Sequence, residues 1–410
     1  MNVLFRRFTL RRFALGACGA ALVGLLGCTE DFTTPGYCPQ TCPGGNIVIR
    51  DTVIDAVVDG DSSYFGYLAP GEGTGLLVST AEPADQYLTA MRFGAFPDSV
   101  RIGDSLYAFV VDSVGISLGV LARDPDATGI ALQVYRAPVT VDSGITFAEV
   151  AGYVVPATFL DSITVPDTLE NGNVQVVFRG ADLVKVAIPA ADSGVIALAV
   201  SVTADSATGV ELGSTTAAGF LPRITWYISV PEVDSTKQPA PIQRVPTFDT
   251  YVQQNPPAPD PDVLQVGGAP SARFIVRFSI PDSVIVGVEI LRAELLLTPT
   301  TPIAGVPGIG TTITARGVLS DQGGKSPLVP LLASTTAVTV GSADSVTVEV
   351  IDLVRTWQVI EGTRPAQAFF LSLQPEASSF TLPVFASTRS PSGAPRLRLT
   401  YVYPLDFEEP

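Results

Sequence analysis

Ala272-Arg-Phe-Ile-Val-Arg-Phe-Ser-Ile280 is the stretch on which the fold is decided. Ala272, Phe274, Val276, Phe278 and Ile280 recur at every second position, with Arg273, Arg277 and Ser279 between them. A period of two places the apolar set on one face of a strand and the polar set on the other, as in an antiparallel strand buried on one side. Moving outward, Leu291, Ala293, Leu295 and Leu297 alternate with Arg292, Glu294, Leu296 and Thr298, and Leu397, Leu399 and Tyr401 alternate with Arg396, Arg398 and Thr400. Ile224, Trp226 and Ile228 repeat the pattern upstream. Turn clusters separate such runs, among them Asp59-Gly-Asp-Ser62, Pro70-Gly-Glu-Gly73, Asp124-Pro-Asp-Ala-Thr-Gly129 and Asp321-Gln-Gly-Gly324. Only Asp352-Leu-Val-Arg-Thr-Trp357 and its counterpart near Asp182 carry the signature of a short helical turn.

Three motifs recur in the same order. Met91-Arg-Phe-Gly-Ala-Phe-Pro-Asp-Ser-Val100 is echoed by Val276-Arg-Phe-Ser-Ile-Pro-Asp-Ser-Val284, Ala181-Asp-Leu-Val-Lys185 by Ile351-Asp-Leu-Val-Arg355, and Leu221-Pro-Arg-Ile-Thr-Trp-Tyr227 by Ala394-Pro-Arg-Leu-Arg-Leu-Thr-Tyr401. The offset, roughly 170–185 residues, is too long for a solenoid and fits a duplicated domain. The expectation is an all-β chain of two tandem antiparallel β-sandwich, jelly-roll-like domains: a divergent module at 47–230, a Pro-rich semi-rigid linker at 231–246 and a second module at 247–404. Ala337–Val350 reads as a hairpin bending at Gly341-Ser-Ala-Asp344.

Composition narrows the chemistry. The 410 residues include no histidine, which excludes Ser-His-Asp and Cys-His catalysis and histidine-ligated zinc or haem. With 24 basic residues against 40 acidic ones, the chain repels phosphate backbones, so no nucleic-acid partner is expected. Hydrophobic residues at 46% supply material for a core.

The first 27 residues differ from the rest. Arg6, Arg7, Arg11 and Arg12 precede an apolar run from Phe13 that ends in Leu25-Leu-Gly-Cys28. Charge, apolar run and small-residue site in that order form a signal peptide, 1–27. The final four residues resemble a bacterial lipobox, which implies lipidation of Cys28 and a bilayer anchor. Thr29 after it favours the outer membrane over the inner one under the familiar Gram-negative sorting scheme. Loss of the four arginines takes the net charge from −16 to −20. Residues 28–46 are polar and rich in Gly and Pro, a flexible tether, and its Cys38 and Cys42 are expected to close a small disulfide loop in an oxidising compartment.

The second copy resembles the DNRLRE-type domain, a jelly-roll module related to the carbohydrate-binding modules of secreted bacterial proteins. The resemblance runs through Phe248-Asp-Thr-Tyr-Val252, the 272–280 strand, Ile290–Leu297, Val348–Trp357, Phe385-Ala-Ser-Thr-Arg389 and Ala394–Tyr401; the Asp-Asn-Arg-Leu-Arg-Glu tract itself is absent. It implies a non-catalytic accessory module that binds polysaccharide. The expected contact residues are Tyr251, in a polar stretch ahead of the main strand, with Arg273 and Arg277 on an outer sheet face facing acidic glycans. Trp226 and Trp357 are expected in the core. Asp59/Asp61, Asp124/Asp126 and Asp260/Asp262 read as turn residues, with a structural calcium ion as the alternative and no transition metal or other cofactor.

Overall fold

A computed structural model describes residues 48–80, 86–256, 258–269, 271–308, 310–358 and 364–403. The expected signal peptide, Cys28, Cys38 and Cys42 lie outside the described residues. Residues 50–402 form one compact unit. It is an all-β sandwich architecture of antiparallel sheets, in which the few helical segments are short.

Two hydrophobic cores lie between facing sheets. The first is closed on one side by a sheet with strand order 242–244, 223–229, 110–123, 209–213, 75–79, with 172–179 also paired to 110–123. Facing it is a five-stranded sheet ordered 246–253, 87–93, 196–203, 131–137, 159–164. Ile116, Leu118 and Val120 from one sheet meet Met91, Phe93, Leu132 and Leu198 from the other. Trp226 stacks on Phe96 with centroids 4.5 Å apart. A fully buried aromatic of this size removes about 150–250 Å² from water, roughly 4–6 kcal/mol of gross hydrophobic stabilisation.

The second core repeats the plan. A four-stranded sheet, 49–55, 396–402, 289–297, 346–349, faces a five-stranded one, 61–65, 272–277, 366–374, 311–318, 334–338. The alternation read in 272–280 is present: Phe274, Val276, Phe278 and Ile280 join this core, while Arg273 and Arg277 point away from it. Trp357 is fully buried against Phe369. The two Asp-Leu-Val tracts form matching helical turns at Leu183–Val186 and Ile351–Arg355.

The sheets cut across the expected boundaries at 47–230 and 247–404. Ile49–Asp55 and Asp61–Phe65, at the head of the first copy, pair with Arg396–Val402 and Ala272–Arg277 of the second. Ile242–Arg244 and Pro246–Gln253 pair with Arg223–Ser229 and Tyr87–Phe93 of the first. The stretch 231–246 is therefore no free spacer. It folds back through Gln238, whose side chain donates to the Val230 and Val233 carbonyls and accepts from the Val230 N–H, and ends in a strand. Ala337–Val350 is likewise not a hairpin. Ser334–Val338 pairs with Thr311–Val318 in one sheet and Val346–Glu349 with Glu289–Leu297 in the facing one, so the bend carries the chain over the edge of the core. Local alternation is the same for either pairing, which is why sequence pattern does not separate them.

Candidate functional site

The three residues expected to contact a ligand are all engaged in the fold. Tyr251 is only 1% exposed, because the strand carrying it closes the first core instead of leading the second. Its hydroxyl donates to the Ala377 carbonyl at 2.8 Å, and burial together with the nearby Tyr87 and Glu211 raises its pKa. The exposed platform expected at Tyr251 is thus corrected to a buried anchor. Arg273 makes a two-pronged pair with Glu376, with both N–O distances 2.7 Å, and lies 4.2 Å above the Tyr67 ring. Arg277 grips Asp321 in the same way and donates to the Gly60 carbonyl. These guanidiniums spend their donors inside the protein, so they supply no unpaired cationic face.

The paired aspartates also have local roles. Asp124 Oδ1 accepts from the Asp126 N–H at 3.0 Å, and Asp260 Oδ1 from the Asp262 N–H at 2.9 Å, both Asx turns. Asp61 is buried and accepts from the Thr388 N–H at 2.6 Å and the Thr388 hydroxyl at 3.0 Å, with Arg389 3.0 Å away. Among the described residues no group of three or more His, Cys, Asp or Glu side chains is disposed to hold a metal ion.

What the structure assembles instead is a cleft between the two copies, of about 530 Å³. One wall comes from Ser79–Thr80, Asp124 and Ala207–Thr208 beside the first core, the other from the loop 304–307 with Phe380 and Leu382. Thr80 and Thr208 fix the first wall by reciprocal bonds: each N–H reaches the other residue, at 2.9 Å in both cases. Phe380 comes from the second copy but packs into the first core, edge-on to Tyr87 at 5.2 Å. Gly209 makes room for it, since a Cβ there would lie 2.8 Å from the Phe380 ring. Ser79, Thr80, Thr208 and Gln253 line the cleft beside aromatic and aliphatic side chains, with Ser79 and Thr208 themselves buried, and among the described lining residues only Asp124 and Tyr87 are ionisable. A mixed lining with so little formal charge suits a neutral ligand whose apolar surface packs against Val306, Phe380 and Leu382.

No protein-family model and no curated protein matches this chain.

Sequence reasoning missed one group beside this region. Glu211 is 4% exposed in the strand Gly209–Gly213. Gly75 on the neighbouring strand leaves room for it, since a Cβ there would lie 2.1 Å from the Glu211 carboxyl oxygen. Burial pushes the Glu211 carboxyl up to about 8, so it is mostly a neutral acid at pH 7. Burial also raises the pKa of Asp249, partly offset by hydrogen bonding from Thr215. The available signal was an acid inside a Gly-Val-Glu-Leu-Gly strand with no basic residue nearby in sequence.

Proposed function

We propose that this chain is an exported lipoprotein, held through Cys28 to the outer membrane, whose sandwich modules bind polysaccharide or another envelope or matrix polymer without catalysis. The cleft between the copies carries the binding part of this reading. Its mixed polar and apolar lining, in which Asp124 and Tyr87 are the ionisable groups among the described residues and no cation stands, favours a neutral glycan over an acidic one, and the internal pairing of Arg273 and Arg277 argues in the same direction. The anchoring part rests on the order of arginines, apolar run and Leu25-Leu-Gly-Cys28.

The test is a glycan array and polysaccharide pull-down with residues 29–410, beside Ala207→Trp, which fills the cleft from an exposed position. The expected result is retention on a neutral glycan and at least about a tenfold loss in the variant, or roughly 1.4 kcal/mol. Absence of binding to every glycan, with a discrete envelope protein captured instead, would replace this reading by a structural or docking lipoprotein. Membrane fractionation of Cys28→Ser checks the anchor: the variant leaves the membrane fraction if the cysteine is lipidated.

A further inference from the structure

The strand pairs that head the two copies are exchanged. Asp61, in the first pair, accepts from the Thr388 N–H, and Asp249, in the second, accepts from the Thr215 N–H, both at 2.6 Å. The receiving turns correspond, Gly213-Ser-Thr215 and Ala386-Ser-Thr388, and each serine hydroxyl donates to a carbonyl just ahead of the next strand: Ser214 to Gly73 at 2.7 Å and Ser387 to Asp262 at 2.9 Å. Each leading pair thus docks by the same chemistry into the copy to which it does not belong by sequence order.

The two pairs are held unequally. Residues 242–253 bury Pro246, Asp249, Thr250 and Tyr251 and are joined at both ends to strands of the compact unit. Residues 49–65 bury little beyond Ala56, Gly60 and Asp61, while Ile49 and Val53 are 61% and 49% exposed. Their one described connection to the remaining strands is the loop 66–74, where Gly66 and Gly71 take positive φ. Their seat includes the edges of Ala272–Arg277 and Arg396–Val402, the Ser387–Arg389 turn and the strand Val263–Gln265, all of them supplied by the second copy.

We propose that residues 49–65 are an exchangeable clasp and that its alternative acceptor is a second copy of this chain, the clasp of each closing the second core of the other. The strand pairing of residues 49–65 and the Asp61–Thr388 bonds recur in such a dimer, and the cost is the rearrangement of the loop 66–74, which now reaches Ser271 on one side and Ser214 on the other, together with the entropy of association. Tethering at a bilayer surface would raise the local concentration that favours it.

Asp51 and Thr400 report on the seat, since the Thr400 hydroxyl donates to Asp51 Oδ1 at 2.6 Å at an exposed position. Full chains carrying Asp51→Cys alone and Thr400→Cys alone are mixed, incubated and oxidised. Mixtures of each variant with wild type measure the background from native cysteines. The expected product is a mixed disulfide dimer above that background, rising with protein concentration and appearing faster with Asp61→Ala in the same chain as Asp51→Cys, because that change loosens the clasp from its seat in either form. The double variant Asp51→Cys/Thr400→Cys establishes that the two sites can link. If it closes within one chain and the mixture gives no dimer above background at any concentration, the clasp is permanent in its own chain and the proposal is overturned.

Discussion

Glu211→Gln isolates a buried acid whose ionisation opposes folding. The carboxyl has a pKa of 4.5 as an ordinary side chain and about 8 in the folded protein, where burial is the cause. Its folded value is the higher one, so the folded state holds the proton over a window in which the unfolded chain releases it. The folded state therefore suffers no penalty from this group below pH 4.5 and loses stability progressively as pH rises from 4.5 to about 8, with no further loss above. A tenfold change in proton affinity is worth about 1.4 kcal/mol, so a rise from 4.5 to about 8 makes the full loss about 5 kcal/mol, of which about 3 kcal/mol is already present at pH 7. The neutral amide does not ionise and removes this dependence. Urea unfolding followed by tryptophan fluorescence, to which the buried Trp226 and Trp357 contribute, is measured from pH 5 to pH 9 for both proteins. Asp249 is also raised by burial and remains in the variant, so its contribution has the same sign and is common to both proteins. The variant is expected to lose markedly less stability across the range and to be the more stable protein at pH 9. Equal pH slopes for the two proteins would show that Glu211 ionises freely in the folded state and would refute the reasoning.

Three further perturbations have defined outcomes. Asp61→Ala strips the Thr388 N–H of its acceptor and Arg389 of a buried partner, and should cost about 2–3 kcal/mol in chemical denaturation; a loss below about 0.5 kcal/mol would mean the clasp is not held there. Trp226→Ala empties the position stacked on Phe96 and should destabilise by about 3–5 kcal/mol, read as a lowered denaturation midpoint with the slope unchanged. Gly75→Ala places a methyl group on the Glu211 carboxyl and should cost about 1–3 kcal/mol, with most of that recovered in Gly75→Ala/Glu211→Ala; full additivity in the double-mutant cycle would disprove the contact.

Alternation in 272–277, 293–297 and 396–402 was enough to identify strands, their apolar faces and the all-β class, because side chains on a strand have a period of two whatever the partner strand is; Leu291 departs from its expected inner position and is exposed, because the register shifts between Ile290 and Arg292. The motif order was enough to expose duplication, and the matching helical turns at Leu183–Val186 and Ile351–Arg355 occupy corresponding places after Gly172–Arg179 and Val346–Glu349. The core positions of Trp226 and Trp357 were legible for the same reason: each lies on the apolar side of its own element. Tyr251 was misread because its neighbours Asp249, Thr250 and Gln253 are polar, and burial of that strand comes from the other copy, about 160 residues away in the case of Thr89 opposite it. Arg273 and Arg277 were placed on the right face, but their partners Glu376 and Asp321 lie in distant loops with no local signature.

The sequence by itself determined which segments become strands, which face of each is apolar, and that one plan is used twice. Pairing between strands was decided only in three dimensions. Backbone hydrogen bonding is blind to side-chain identity, so a leading strand pair satisfies either copy's open edges equally well. Asp61 with Thr388 and Asp249 with Thr215 use the same chemistry in both copies, so the choice falls to contacts that differ between them, such as Arg389 with Asp61 and the Tyr251 hydroxyl on Ala377, and from it follow the exchanged clasp, the buried Tyr251 and the cleft between the copies.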